Sequence, residues 1–184
     1  LDFGIGDGSV RNHLAIDAGA PPLQAVVETE LHGVDLHRVL RDLPLAAGSR
    51  GIVGGHGKLW LRGLTTAELL ASADGGFTLL MTGGALDATL VEQAGLDLGE
   101  TVLAELFQRP AVAIDCAYAD LQFRDGRMQF AQGLVDTTDT LFHLDGAIDF
   151  GDERFDLVLH ASPKDISAPT WRTPLHIEGP FRAP

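Results

Sequence analysis

A short unit written twice, thirty residues apart, constrains this chain more than any other feature: Leu31-His-Gly33-Val34-Asp35-(x3)-Val39-Leu40, then Leu61-Arg-Gly63-Leu64-Thr65-(x3)-Leu69-Leu70. Each copy closes a run of alternating residues at a glycine, supplies an Asp or Thr suited to capping a helix, and continues with apolar residues at helical spacing. The unit is predicted as strand, cap and short helix. A looser third copy follows at Thr82-Gly-Gly84-Ala-Leu86-Asp87-(x2)-Leu90-Val91, after which the pattern changes character.

Alternation dominates between the units. Strand-like stretches run around Asp2–Ile16 and Leu23–Leu31, separated by Gly19-Ala-Pro21-Pro22. In the second, Val27, Thr29 and Leu31 share one face and Glu28, Glu30 and His32 the other, as a half-buried strand requires. A short helix from Asp35 is expected to bury Leu36, Val39, Leu40 and Leu43 and to end at Pro44. Strand character returns at Gly51–Arg62, and Thr65 with Glu68 three residues on has the spacing of a capping box. Phe77–Gly83 follows as a strand, bounded upstream by the turn-forming Asp74-Gly75-Gly76. The longest helical region is expected over Asp87–Gln108, broken near Gly95–Gly99 and closed by Pro110.

From Ala111 onward the pattern is a meander of five strands. Asp125-Gly126 is a two-residue hairpin signal that pairs Phe123 with Met128 and Leu121 with Phe130. Gly151-Asp152 centres a second hairpin, with Phe155 facing Ile148, Leu159 facing Leu144 and Asp149 opposite Arg154. Between them, a three-residue loop at Asp136-Thr137-Thr138 is preferred because it pairs Phe130 with Leu144. The last strand, Pro174–Phe181, points Leu175, Ile177, Gly179 and Phe181 inward and His176 and Glu178 outward.

These elements predict a mainly β chain with short helices (α+β), built as a curved, mostly antiparallel β-sheet or β-groove with strand-Gly-cap-helix repeats. One unit spans 1–184, with the repeats in 1–110 and the meander in 111–184. The opening at Leu1, in what reads as mid-strand, is expected of a C-terminal fragment of a larger protein. Its 22 glycines and 45% hydrophobic residues suit a folded β-rich chain and argue against disorder.

Twenty-six acidic residues against 13 basic give a formal charge of −13, with no stripe of Lys or Arg. Nucleic acid and anionic membrane surfaces are therefore not expected as partners. The single Cys116 excludes an internal disulfide or a multi-cysteine metal site, and its alternation with Ile114 and Tyr118 predicts a small buried residue. His143 and His160 fall opposite each other on the outward face, where His176 or an Asp would complete a metal site. No HxH or HExxH spacing supports one, and a solvated face is the expectation. A glycosidase-like acid pair needs a carboxyl in an apolar setting, whereas Asp115 and nearly all strand carboxylates fall on the polar side. Gly4-x-Gly6-x-Gly8 and Gly54-Gly55-x-Gly57 lack the strand-loop-helix setting of phosphate loops and are expected as turns and bulges. No catalytic residue, cofactor or metal is assigned, and no enzyme activity is expected.

What remains is the aliphatic face of the C-terminal strands. Phe142, Leu144, Ile148, Phe150, Phe155, Leu157, Leu159, Leu175 and Ile177 form a broad apolar surface, which is either a closed core or an open groove.

The repeat, Gly76-Phe-Thr-Leu-Leu-Met-Thr-Gly-Gly-Ala-Leu-Asp87, Phe123-Arg-Asp-Gly126, Leu144-Asp-Gly-Ala-Ile-Asp149, Ser162-Pro-Lys-Asp165 and Thr173-Pro-Leu-His-Ile-Glu-Gly179 occur in an order that resembles the C-terminal region of the AsmA-like family of bacterial envelope proteins. The resemblance implies a periplasmic module of a protein anchored in the inner membrane and involved in outer-membrane biogenesis. Its apolar β-groove would hold or conduct phospholipid acyl chains, and the family carries no catalytic residues. Acyl chains, and other envelope proteins, are the partners it implies. Asp87–Gln108 would serve as a plug or lid. A structural or protein-interaction domain with a closed core is the alternative.

Overall fold

The computed structural model describes residues 2–5, 8–40, 49–87, 111–164 and 174–182. Ten strands form one antiparallel sheet whose spatial order is the chain order: β1 (Asp2–Ile5), β2 (Gly8–Asp17), β3 (Gln24–Asp35), β4 (Arg50–Arg62), β5 (Asp74–Asp87), β6 (Ala111–Arg124), β7 (Arg127–Thr137), β8 (Thr140–Asp149), β9 (Arg154–Pro163) and β10 (Leu175–Pro180). The sheet is curved and unclosed. Among the described residues two short helices decorate it, α1 (Leu36–Leu40) after β3 and α2 (Thr66–Ala71) after β4.

Period-two alternation decides the faces. Val27 lies opposite Leu59, Ala25 opposite Leu61, and Phe77 opposite Leu121, so one face is mainly apolar, with the Thr29 hydroxyl donating to the Asn12 side-chain oxygen at 2.8 Å on it. The other face carries the charges, with Arg11–Glu30 at 2.8 Å, the Lys58–Glu28 pair and Arg127–Asp156 at 3.6 Å. Met81, Phe123, Met128, Phe142, Leu157 and Ile177 belong to the apolar face and are buried. Because the sheet is curved, we term this buried apolar face the inner face.

The repeat is a real structural unit, with its glycine used in two ways. In the second copy the strand stops at Arg62, and Gly63 takes φ +156 where a Cβ would strike Glu68. Thr65 then caps α2, its hydroxyl accepting the Glu68 N–H at 3.2 Å while the Glu68 carboxylate accepts the Leu64 N–H at 2.7 Å. In the first copy the ladder shifts between Leu31 and Val34 around Gly33 at φ +60, and β3 continues to Asp35 before α1 begins. Asp35 caps α1 through the His37 N–H at 3.0 Å. Of the residues expected inside α1, Leu36 is half-buried; the side chains of Val39 and Leu40, and all of Leu43 and Pro44, lie outside the described residues. Gly83, at φ +58, repeats the first copy's device, so β5 runs on to Asp87 as strand. The rest of the helix expected over Asp87–Gln108 lies outside the described residues.

Both hairpin registers are as expected near their turns. Asp125 and Gly126 take φ +47 and +74, and Phe123 pairs with Met128 and Leu121 with Phe130. Ile148 faces Phe155, Leu144 faces Leu159 and Asp149 faces Arg154, although the loop between them is four residues, Phe150 to Glu153. The Asp149 carboxylate holds that loop by accepting the N–H groups of Gly151 and Asp152.

Four expectations are corrected. Asp2–Ile16 is two strands, β1 and β2, rather than one stretch. Asp74-Gly75-Gly76 is strand, because Gly75 at φ +130 lets β5 back directly onto the Lys58 carbonyl. Gly54, Gly55 and Gly57 are mid-strand in β4, Gly54 opposite the ladder shift in β3, with the Thr78 carbonyl backing onto Gly55 and the Phe77 ring onto Gly57. The β7–β8 turn sits at Thr138-Asp139, where the Thr137 hydroxyl accepts the Thr140 N–H at 3.0 Å and donates to its carbonyl at 2.7 Å. The ladder shifts between Gln129 and Leu134, so Gly133, not Phe130, backs onto Leu144.

Candidate functional site

Seven of the nine aliphatic and aromatic residues expected on the C-terminal apolar face, all but Phe142 and Leu159, pack into two adjoining clusters. Leu157 and Ile177 are surrounded by Phe130, Leu144, Ile148, Phe155 and Leu175. Beside them Ala73, Phe123 and Met128 meet Ile148 and Phe150. Phe123 and Phe150 stack at 6.4 Å, and Phe181 joins Phe150 edge-on at 6.1 Å and Phe155 at 4.7 Å. Phe142 is buried and Leu159 half-buried on the same face. This part of the wall is largely filled by its own side chains.

Three connections tie that region together at one end of the sheet. The Gly126 N–H donates to the Ala73 carbonyl and the Phe150 N–H to the Gly126 carbonyl, each at 3.0 Å. A Cβ at Gly126 would collide with Ala71, so the glycine lets the end of α2 seat against the β6–β7 turn.

The inner face is open towards the other end of the strand order. Leu14 and Ile16 of β2 expose 52% and 56% of their surface, while Val27, Leu31, Leu59, Leu61 and Leu79 are half-buried. The wall is therefore exposed at β2 and packed from β4 onward, where Leu59, Leu61 and Phe77 lie against the cluster of Ala73, Phe123 and Met128. The alternation of Val27, Thr29 and Leu31 signals the β3 part of this wall in the sequence; Leu14 and Ile16 were hidden because β1 and β2 read as one stretch.

The outer face holds the polar candidates. His143 and His160 pair directly, both exposed, with Asp145 3.8 Å from His160 Nε2. Among the described residues no group of three His, Cys, Asp or Glu side chains is placed to hold a metal ion. Cys116, expected in the core, is exposed. The ladder shifts between Ile114 and Cys116, which separates the environments of two residues that simple alternation makes equivalent. Asp115 is exposed, 3.6 Å from Lys164, whose ammonium also lies 2.7 Å from Asp136 and donates to the Thr137 carbonyl at 2.6 Å. Its hydrogen bond to Asp136 holds the lysine above its ordinary pKa. Across the β3–β4 ladder, the Lys58 ammonium bonded to Glu28 holds that carboxyl below its ordinary range.

A repetitive antiparallel sheet with an apolar inner and an ion-paired outer face defines a β-groove protein. The model of the AsmA family matches residues 1–132, and the chain belongs to that family. It is 28% identical over 184 residues to the AsmA family protein YhjG of Escherichia coli (strain K12), an alignment that covers 100% of this chain and 27% of that protein. The chain thus spans about a quarter of the length of the curated relative it matches. No solved structure matches it. Among the described residues no helix is long and apolar enough to cross a membrane.

Proposed function

We propose that this chain is a non-catalytic, periplasmic part of an envelope protein involved in outer-membrane biogenesis, and that its inner face holds phospholipid acyl chains. The observation that carries the reading is the apolar wall left open at Leu14 and Ile16 and continued by half-buried Val27, Leu59 and Leu79. Each CH2 moved from water onto such a wall gains about 0.8 kcal/mol, so a chain of lipid length is retained by burial alone, without a polar recognition motif. Membership of the AsmA family supports the envelope setting. In this reading the parent polypeptide is anchored in the inner membrane, and the packed β7–β10 region closes the wall at one end.

The test is mass spectrometry of lipid retained by the purified chain, with exchange against vesicles of phosphatidylethanolamine and phosphatidylglycerol. Co-purifying phospholipid that exchanges with the vesicles is expected. The absence of both retained lipid and uptake from vesicles would overturn the reading. A structural or protein-interaction role would then be favoured, for which the clusters around Leu157 and Phe123 already supply a packed core.

A further inference from the structure

The β8–β9 ladder runs from Thr140–Pro163 to Asp149–Arg154 without a shift, unlike β6–β7 and β7–β8. His143 and His160 are therefore held as a directly opposed pair within two paired strands, by a hairpin whose loop the Asp149 carboxylate already fixes. Side chains opposed in this way have Cβ atoms about 4.5–5.5 Å apart. That separation lets each imidazole turn one ring nitrogen towards a common point, leaving the two nitrogens about 3 Å apart, as ligands with bonds of about 2.0–2.1 Å to one ion require. Both rings are exposed, and the Asp145 carboxylate at 3.8 Å from His160 Nε2 is too distant for a hydrogen bond to lock that ring. Among the described residues the outward neighbours of the pair are Leu134, Leu141, Asp145, Val158 and Ser162, which bring one negative charge and no positive one.

We propose that His143 and His160 form a two-histidine chelate for a first-row divalent transition cation, with Cu2+ bound more tightly than Ni2+ or Zn2+. Imidazole suits these ions, whereas Mg2+ and Ca2+ take oxygen ligands and are passed over. Among the described residues no third His, Cys, Asp or Glu converges with the pair, so water completes the coordination shell and the ion stays exchangeable. Asp145 adds favourable charge beside it. A bound ion ties β8 to β9 across the outer face, behind the cluster around Leu157, and so acts on the hairpin whatever the apolar wall holds.

The test is copper binding to the 184-residue chain in a Cys116→Ser background, which removes the exposed thiol as a competing ligand. Equilibrium dialysis is expected to find one Cu2+ per chain held more tightly than the rest, and electron paramagnetic resonance to find two nitrogens on it. His143→Gln, His160→Gln and the double variant should each lose that tight ion to the same extent, because one imidazole cannot chelate, while His176→Gln on β10 keeps it. Without metal all the variants should melt alike, and added Cu2+ should raise the melting temperature only where both histidines are present. The absence of a tight site, its survival in either single variant, or losses that add up from the two singles to the double would overturn the proposal.

Discussion

Phe77 lies against Gly57 across the β4–β5 ladder, its ring filling the space that a Cβ at position 57 would need. Gly57→Ala is therefore an overpacking change, expected to cost about 1–3 kcal/mol in urea unfolding. Gly54→Ala, where the nearest atom is the Leu31 carbonyl oxygen at 3.6 Å, is the control and costs much less. Adding Phe77→Leu to Gly57→Ala should recover part of the loss; equal costs at both glycines would show that the ring is not what fills the space.

The graded wall predicts a sharp asymmetry between two charge insertions. Leu157→Asp buries a carboxylate in a packed cluster, costs several kcal/mol and unfolds the chain. Ile16→Asp leaves the fold intact, because the site is already wet, and under the proposed function lowers lipid uptake. Melting curves and vesicle exchange measured side by side check both halves.

Loss of the Thr65 cap acts locally. Thr65→Ala is expected to cost about 0.5–2 kcal/mol and to speed amide exchange in α2 before any change in β6–β10. Uniform acceleration across the sheet would mean that the cap acts through global stability.

Two ion pairs contribute pH dependence of opposite sign. Lys164 is raised above 10.5 by Asp136, so its contribution is complete below that value and is lost as pH climbs through the higher folded-state value. Glu28 is lowered beneath 4.5 by Lys58, so its contribution is present above 4.5 and is lost as pH falls through the folded-state value. Lys164→Met should flatten the alkaline limb of a melting-temperature profile, and Lys58→Met the acid limb, each leaving the other limb unchanged.

Much of this fold was legible because turns and caps are local. Asp125-Gly126 fixes a register through two positive φ angles, and Thr65 with Glu68 fixes a helix start, with no distant residue involved. What escaped depends on contacts across strands. Gly75 reads as a turn until the Lys58 carbonyl is found against it, and Phe130 reads as the partner of Leu144 until Gly133 takes that place. Cys116 leaves the core because of a ladder shift that alternation cannot reveal. For the candidate site, the apolar face of β8–β10 was legible by period, but not that it is the packed part of the wall. Exposure along the wall is decided by curvature and by contacts across strands, and neither is written in a single strand.

Because the order of the strands in space is their order along the chain, each strand bonds only to its immediate predecessor and successor. Every ladder can therefore close as soon as its second strand exists, without waiting for a distant one, so the sheet can be assembled in the direction in which the polypeptide is made. The same arrangement makes length an adjustable quantity: a strand pair gained or lost changes how far the wall extends while leaving every other pairing as it was.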